Sequence, residues 1–279
     1  MLGSTSSSMG GRARVSLSPR NIPALPGALA DLLRIANDPS VSIAELERTI
    51  SRDQALTLRV LAVANSSFYG CSRRVDSVRT ALALLGTQQV QNIASAMALA
   101  PVFDCEQGPP LWTHGLATAL WTRWVMRTIG VPPIEYLFTA ALMHDIGIVL
   151  LLKNAPEEEA TCLRHAAEQS KPLQEIEAAM LGIDHAQLGA RAATTWRLPE
   201  RIAELVATHH DAPVRANVDH AVLAVADLLS SVTGTGELNG TRATSVPKDV
   251  LDAAGLRAED IPVLLGRADA VAAEACAFG

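Results

Sequence analysis

Two carboxylates set inside apolar helical runs constrain this chain more than any other feature. Asp145 lies in ALMHDIGIVLLL and Asp227 in AVLAVADLL. A charge in such surroundings is costly unless a cation or hydrogen bonds meet it, so the fold must bring partners to both. The candidates are strung along the second half of the chain: His114, the pair His144-Asp145, His185, the pair His209-His210, and Asp227. Five of the seven histidines belong to this series, leaving His165 and His220 outside it. Within Pro199–His210, Ile202, Leu205, Val206 and His209 share one helical face, which aims the imidazole at the core. Imidazole and carboxylate together suit zinc, iron, manganese or nickel. Hydrogen-bonded His–Asp pairs without metal are the alternative.

Composition narrows the fold. Aromatic residues make up 4% of the chain while alanine and leucine are abundant, which favours helices over strands. A net charge of -6 gives no electrostatic footprint for nucleic acid or for an anionic membrane surface. No apolar run is read as reaching the roughly 18 residues of a membrane span. The start, MLGSTSSSMGGRARVS, lacks the apolar core of a signal peptide. We expect a disordered tail over 1–20, with Met9 a candidate natural start. Cys71, Cys105, Cys162 and Cys276 form no CxxC pair and are expected to be reduced thiols. From these features we expect a soluble, cytoplasmic protein.

Helical periodicity predicts Gly27–Ala36, Ile43–Ile50 capped by Ser42, Gln54–Ala64 capped by Asp53, Ser77–Leu85 and Thr87–Ala100. FDCEQGPP (103–110) reads as a boundary. Beyond it the pattern predicts Leu111–Ile129, Ile134–Leu152, Pro156–Gln169, Leu173–Leu181, Asp184–Trp196, Pro199–His210 and Asp219–Ser231. TGTGELNGTRATS (233–245) reads as a flexible loop, and short helices near Lys248–Ala254 and Ala258–Ala277 close the chain. The expected fold is all-α in two lobes, with an N-terminal helical bundle over 21–105 and a second helical lobe over 110–279. Trp121 and Trp124 are expected in the core, Trp196 as a staple between helices, and His165 and His220 as a solvated residue and a capping neighbour. NSSFYG (65–70) reads as a helix cap with Phe68 and Tyr69 packed inside, or else as a contact between lobes or with a partner.

The histidine series resembles the signature of the HD superfamily of metal-dependent phosphohydrolases. More specifically, IPALP, ISRDQALTLRVLAVANSSFYG, VRTALALLGTQQVQNIA, LWTHGLATA, ALMHDIG, GIDHAQLGARAATTWRLPERIAELVATHH and AVADLL resemble the HDOD (HD-related output domain) family of bacterial signalling proteins. The resemblance spans about Ile22 to Phe278. It implies an N-terminal helical bundle packed on an HD-like helical core, and a role in regulation more than in turnover. It also implies a metal centre of one or two divalent ions, iron, manganese or zinc. One ion would be held by His114, His144, Asp145 and Asp227; Asp145 would bridge to a second held by His185, His209 and His210.

Departures from catalytic relatives bear on function. In the related HD-GYP cyclic di-GMP phosphodiesterases a lysine follows the HD-x-G stretch; here that position is Ile148. No glycine-tyrosine-proline motif follows His209-His210, and a glutamate that some such enzymes place before the first histidine is replaced by Pro110. A full ligand set beside missing phosphate-handling groups favours a metal-bearing regulator that acts through signalling protein partners. The alternative is a metal-dependent phosphohydrolase acting on a nucleotide or cyclic dinucleotide.

Overall fold

A computed structural model describes residues 22–278 except 26, 37, 39, 72, 214–216 and 236–242. The expected tail over 1–20 and most of the expected loop over 233–245 lie outside the described residues. The protein is all-α, and no strand occurs among the described residues. The first helices are α1 (Gly27–Ala36), α2 (Ile43–Arg52), α3 (Gln54–Ala64), α4 (Val78–Leu85) and α5 (Thr87–Leu99), followed by a 3-10 turn at Ala100–Phe103. Ser42, Asp53 and Ser77 cap α2, α3 and α4 by accepting a hydrogen bond from the backbone N–H three residues on. These helices pack on one another through Leu32, Leu46, Ile50, Val60 and Ile93, all fully buried.

The remaining helices are α6 (Gly108–Thr128), α7 (Glu135–Met143), α8 (Ile146–Asn154), α9 (Pro156–Gln169), α10 (Leu173–Leu181), α11 (His185–Thr195), α12 (Glu200–Thr208), α13 (Val218–Val232), α14 (Lys248–Ala254), α15 (Asp260–Leu265) and α16 (Ala268–Cys276). The longest, α6, packs against α7, α13 and α16, while α11 lies between α8 and α12. One continuous apolar core runs from Ile22 to Phe278.

Three boundaries differ from the sequence reading. α6 begins at Gly108, with Pro109 and Pro110 in its first turn, where a missing N–H costs no hydrogen bond. The single helix expected over Ile134–Leu152 is two helices, broken at His144-Asp145. The single helix expected over Ala258–Ala277 is also two, α15 and α16, parted at Gly266 and Arg267. The expectation of no run long enough to span a membrane is corrected at Glu135–Asn154. Those 20 residues, with a mean hydropathy of 1.5, are long and apolar enough, and 83% of the window is buried inside the protein. Packing against α6, α11 and α12 accounts for that apolarity.

Trp121 is fully buried, as expected, whereas Trp124 is half-buried beneath the Arg127 and Arg267 guanidiniums. Trp196 is buried and its indole N–H donates to the Pro23 carbonyl at 2.8 Å, tying the end of α11 to the chain entering α1. The NSSFYG segment departs from the packed-cap reading. Asn65 does cap α3, but Phe68 is 37% exposed and the Tyr69 hydroxyl bonds Glu274 on α16 at 3.1 Å.

Candidate metal centre

Each candidate ligand is delivered by a helix or a helix end. His114 projects from α6 and Asp227 from α13; His144 and Asp145 form the break between α7 and α8. His185 opens α11, and His209 and His210 follow the last turn of α12. Two glycines permit the close approaches that bring these elements together. A Cβ on Gly147 would lie 1.9 Å from the His185 carbonyl oxygen, and one on Gly115 would lie 2.7 Å from that of Leu142. α8 therefore meets α11, and α6 meets α7, at distances no side chain allows.

All seven predicted residues converge, in two adjoining groups. Asp145, His185, His209 and His210 form one, and His114, His144 and Asp227 the other, with the donor atoms of each group mutually within 4.8 Å. Asp145 faces both. Its Oδ2 lies 3.2 Å from His144 Nε2 and 3.8 Å from His114 Nε2, while Oδ1 lies 3.5 Å from His209 Nε2 and 3.6 Å from His185 Nε2. Asp227 Oδ1 lies 2.9 Å from His114 Nε2 and 3.6 Å from His144 Nε2. His210 Nε2 is 2.7 Å from His185 Nε2, at the exposed rim.

The outer nitrogens of the imidazoles are already engaged. Nδ1 of His144 lies 2.7 Å from the Ala141 carbonyl, and Nδ1 of His209 lies 2.8 Å from that of Val206. His185 Nδ1 is 2.6 Å from Glu177 Oε2. His114 Nδ1 faces the Thr235 carbonyl at 3.3 Å and Ser230 Oγ at 3.2 Å. Carbonyls and carboxylates only accept, so in the neutral rings of His144, His185 and His209 the proton sits on Nδ1 and the Nε2 lone pair points inward. This is how metal-binding histidines are normally held.

The arrangement fits a metal. Donors 2.0–2.1 Å from one ion sit roughly 3.0–3.4 Å apart, close to most of the separations above. His209 Nε2 is buried with no hydrogen-bond partner, an orphan that a cation would satisfy.

Without an ion, protons must mediate the same convergence. Burial works against charging His144, but the Asp145 carboxylate outweighs it and pushes the ring up to about 9. Burial would raise Asp227, yet the hydrogen bond from His114 brings it down to about 2. Asp145 is held well below the carboxylate range against its own burial, chiefly by His144. Burial, then repulsion from His209 and His185, lowers His210 to about 3. Two anions and inward-facing imidazoles thus form a site whose electrostatics demand positive charge.

The sequence reading missed the groups behind these ligands. Glu177 and Glu159 are fully buried carboxyls on α10 and α9, and Ser230 and Thr235 support His114. A signal was present. Glu177 falls four residues from both Leu173 and Leu181, and Glu159 shares its buried face with Cys162 and Ala166, the pattern that marks Asp145 and Asp227. His165 is half-buried on α9 and outside the cluster, not fully solvated as expected. His220 sits beside the α13 cap as expected, but it is also buried and its Nε2 contacts the Thr208 carbonyl at 2.6 Å.

An all-α fold carrying a convergent His/Asp cluster defines the class. The HDOD domain family model matches residues 22–212, and the chain belongs to that family. Asp227 and the helices after it lie beyond the matched stretch. An uncharacterized protein of Treponema pallidum is 26% identical over 196 residues; that match covers 69% of this chain and 38% of the relative's length. A crystal structure from Shewanella amazonensis, provisionally described as a phosphohydrolase, superposes with a TM-score of 0.75 at 20% identity, covering 96% of this chain and 99% of that one. Another from Marinobacter aquaeolei, provisionally described as a signal transduction protein, has a TM-score of 0.77 at 23% identity and covers 92% of this chain and 60% of that one. These likenesses establish the fold.

Proposed function

We propose that this HDOD protein is a signalling regulator built around an HD-type metal centre of one or two divalent ions, iron, manganese or zinc. His114, His144, Asp145 and Asp227 would hold one ion; Asp145, His185, His209 and His210 would hold the second. The observation that carries this reading is the split of Asp145, one oxygen toward each histidine group. In this reading the chain divides into an N-terminal bundle over 21–105 and a metal-bearing lobe over 110–279. The ion acts as the structural keystone of the lobe, and output passes through contacts with a signalling protein. Asp145→Ala should then lose both metal and partner binding while retaining helical circular dichroism. Unchanged partner binding contradicts a metal-gated scaffold.

The second reading is a metal-dependent phosphohydrolase acting on a nucleotide or cyclic dinucleotide. It is favoured by the exposed rim position of His210, which leaves the centre open on one side. A bound divalent ion supplies Lewis-acid polarisation of a phosphate. The chain's own contribution would be placement: Nδ1 contacts hold the imidazoles in register, and the buried walls from α6, α8 and α12 exclude water. Ile148 stands where the HD-GYP resemblance places a lysine, and loss of one such group costs about 10²–10³ in rate. Metal-dependent turnover of a phosphodiester panel that vanishes in His144→Ala establishes this reading; no turnover with the metal loaded leaves the regulator.

A further inference from the structure

We propose that Glu177 is a positioning residue for the metal centre, acting through His185. The inference rests on the metal-centre reading above. Glu177 Oε2 accepts two hydrogen bonds from the same residue, from the His185 backbone N–H at 2.7 Å and from its ring Nδ1 at 2.6 Å. The first fixes where α11 starts; the second fixes the ring's tautomer and its rotation. A carboxylate has no proton to give, so Nδ1 must carry one and Nε2 must face Asp145 as a lone pair. His144 and His209 achieve the same with a backbone carbonyl one turn back. His185, at the first position of its helix, has no preceding turn to supply one. A side chain from α10 takes that place, and it brings a charge that a carbonyl lacks.

Glu159 is a second buried acid beside Glu177. It lies behind Glu177 on α9, is fully buried, and neither of its oxygens has a hydrogen-bond partner among the described residues; Glu177 Oε1 is likewise unpartnered. Two neighbouring buried carboxyls cannot both ionise cheaply. Burial, reinforced by Glu177, pushes Glu159 up to about 9. Glu159 therefore favours its neutral form beside a Glu177 that accepts two N–H donors from His185. The result is a buried line, Glu159–Glu177–His185, ending at the second ligand group. A carboxylate behind a ligating imidazole raises its basicity, and loss of such a partner weakens metal affinity about 10–100-fold.

The test is cobalt(II) binding to the chelator-stripped full-length chain, with Kd read by competition with a chelator and stoichiometry by elemental analysis after desalting. E177Q keeps the size and removes the charge; it should weaken the affected ion about 10–100-fold and leave the group of His114, His144 and Asp227 able to retain its own. E159Q replaces one neutral group by another and should bind within about 3-fold of wild type. Wild-type affinity in E177Q overturns the proposal, as does a loss in E159Q equal to that in E177Q. A wild-type chain that takes up no cobalt instead overturns the metal centre itself. Long-range proton–nitrogen NMR of the wild type needs no variant to fold: His185 should be the Nδ1–H tautomer, and an Nε2–H tautomer contradicts the role assigned to Glu177.

Discussion

At Asp145 one carboxylate turns its two oxygens to two different sets of imidazoles, and the value of the residue lies in that division. Asp145 and Asp227 are legible in the sequence because each interrupts an apolar run. Glu177 and Glu159 obey the same pattern but sit in helices such as PEEEATCLRHAAEQ, whose overall polarity hides a single buried carboxyl. Glu159 carries a pH prediction. A carboxyl raised to about 9 when folded is neutral in the folded chain and ionised in the unfolded chain above pH 4–5. Its contribution to stability is full below that range and is lost as pH rises toward 9. E159Q should stabilise the metal-free protein at pH 8 by about 1–3 kcal/mol, with the gap closing toward pH 5. Chemical denaturation at the two pH values checks this, and a gap that does not change with pH contradicts it. Asp227, lowered to about 2, has the opposite sign: its contribution is present above pH 4 and disappears as the pH falls through 2.

At the scale of elements, the break between α7 and α8 is where sequence and structure part most instructively. ALMHDIGIVLLL holds no proline, and its apolar periodicity runs straight through His144-Asp145. What breaks the helix is tertiary: α8 must approach α11 closely enough that Gly147 touches the His185 backbone. Gly147→Ala should therefore cost about 1–3 kcal/mol by overpacking and weaken metal binding by displacing His185. Gly266→Ala, whose added Cβ would meet its nearest atom at 3.4 Å, should have little effect. Equal melting temperatures for the two variants contradict this account. Caps and turns, by contrast, were readable directly. Ser42 and Asp53 cap the helices the sequence reading assigned to them, while Ser77 and Asp184, read as first helical residues, are the caps of α4 and α11.

Across the whole molecule, contacts distant in sequence decide what periodicity cannot. Arg123 on α6 pairs with Glu274 on α16, and both engage a polar cluster with Gln89 on α5 and Tyr69 between α3 and α4. This latch ties α16 to α5 and the α3–α4 segment beside α6, and nothing local in the sequence announces it. Glu274 is 2% exposed, so Glu274→Ala leaves a guanidinium without its charge partner and should cost about 3–5 kcal/mol in urea denaturation. A loss under 1 kcal/mol contradicts a buried latch. The helical class was legible from composition and periodicity, and Asp145, Asp227 and His209 from their apolar surroundings; the full set of seven came only with the family resemblance. The latch and the Glu177 line were not, because their partners come from other helices.

In this protein the proposed function depends on metal held by the His/Asp cluster. Elemental analysis of protein purified without chelators or a metal-affinity column, beside a His144→Ala/Asp145→Ala variant, tests it most directly. One or two iron, manganese or zinc ions per chain are expected, lost in the variant. A wild-type chain that is empty and refuses added metal contradicts it.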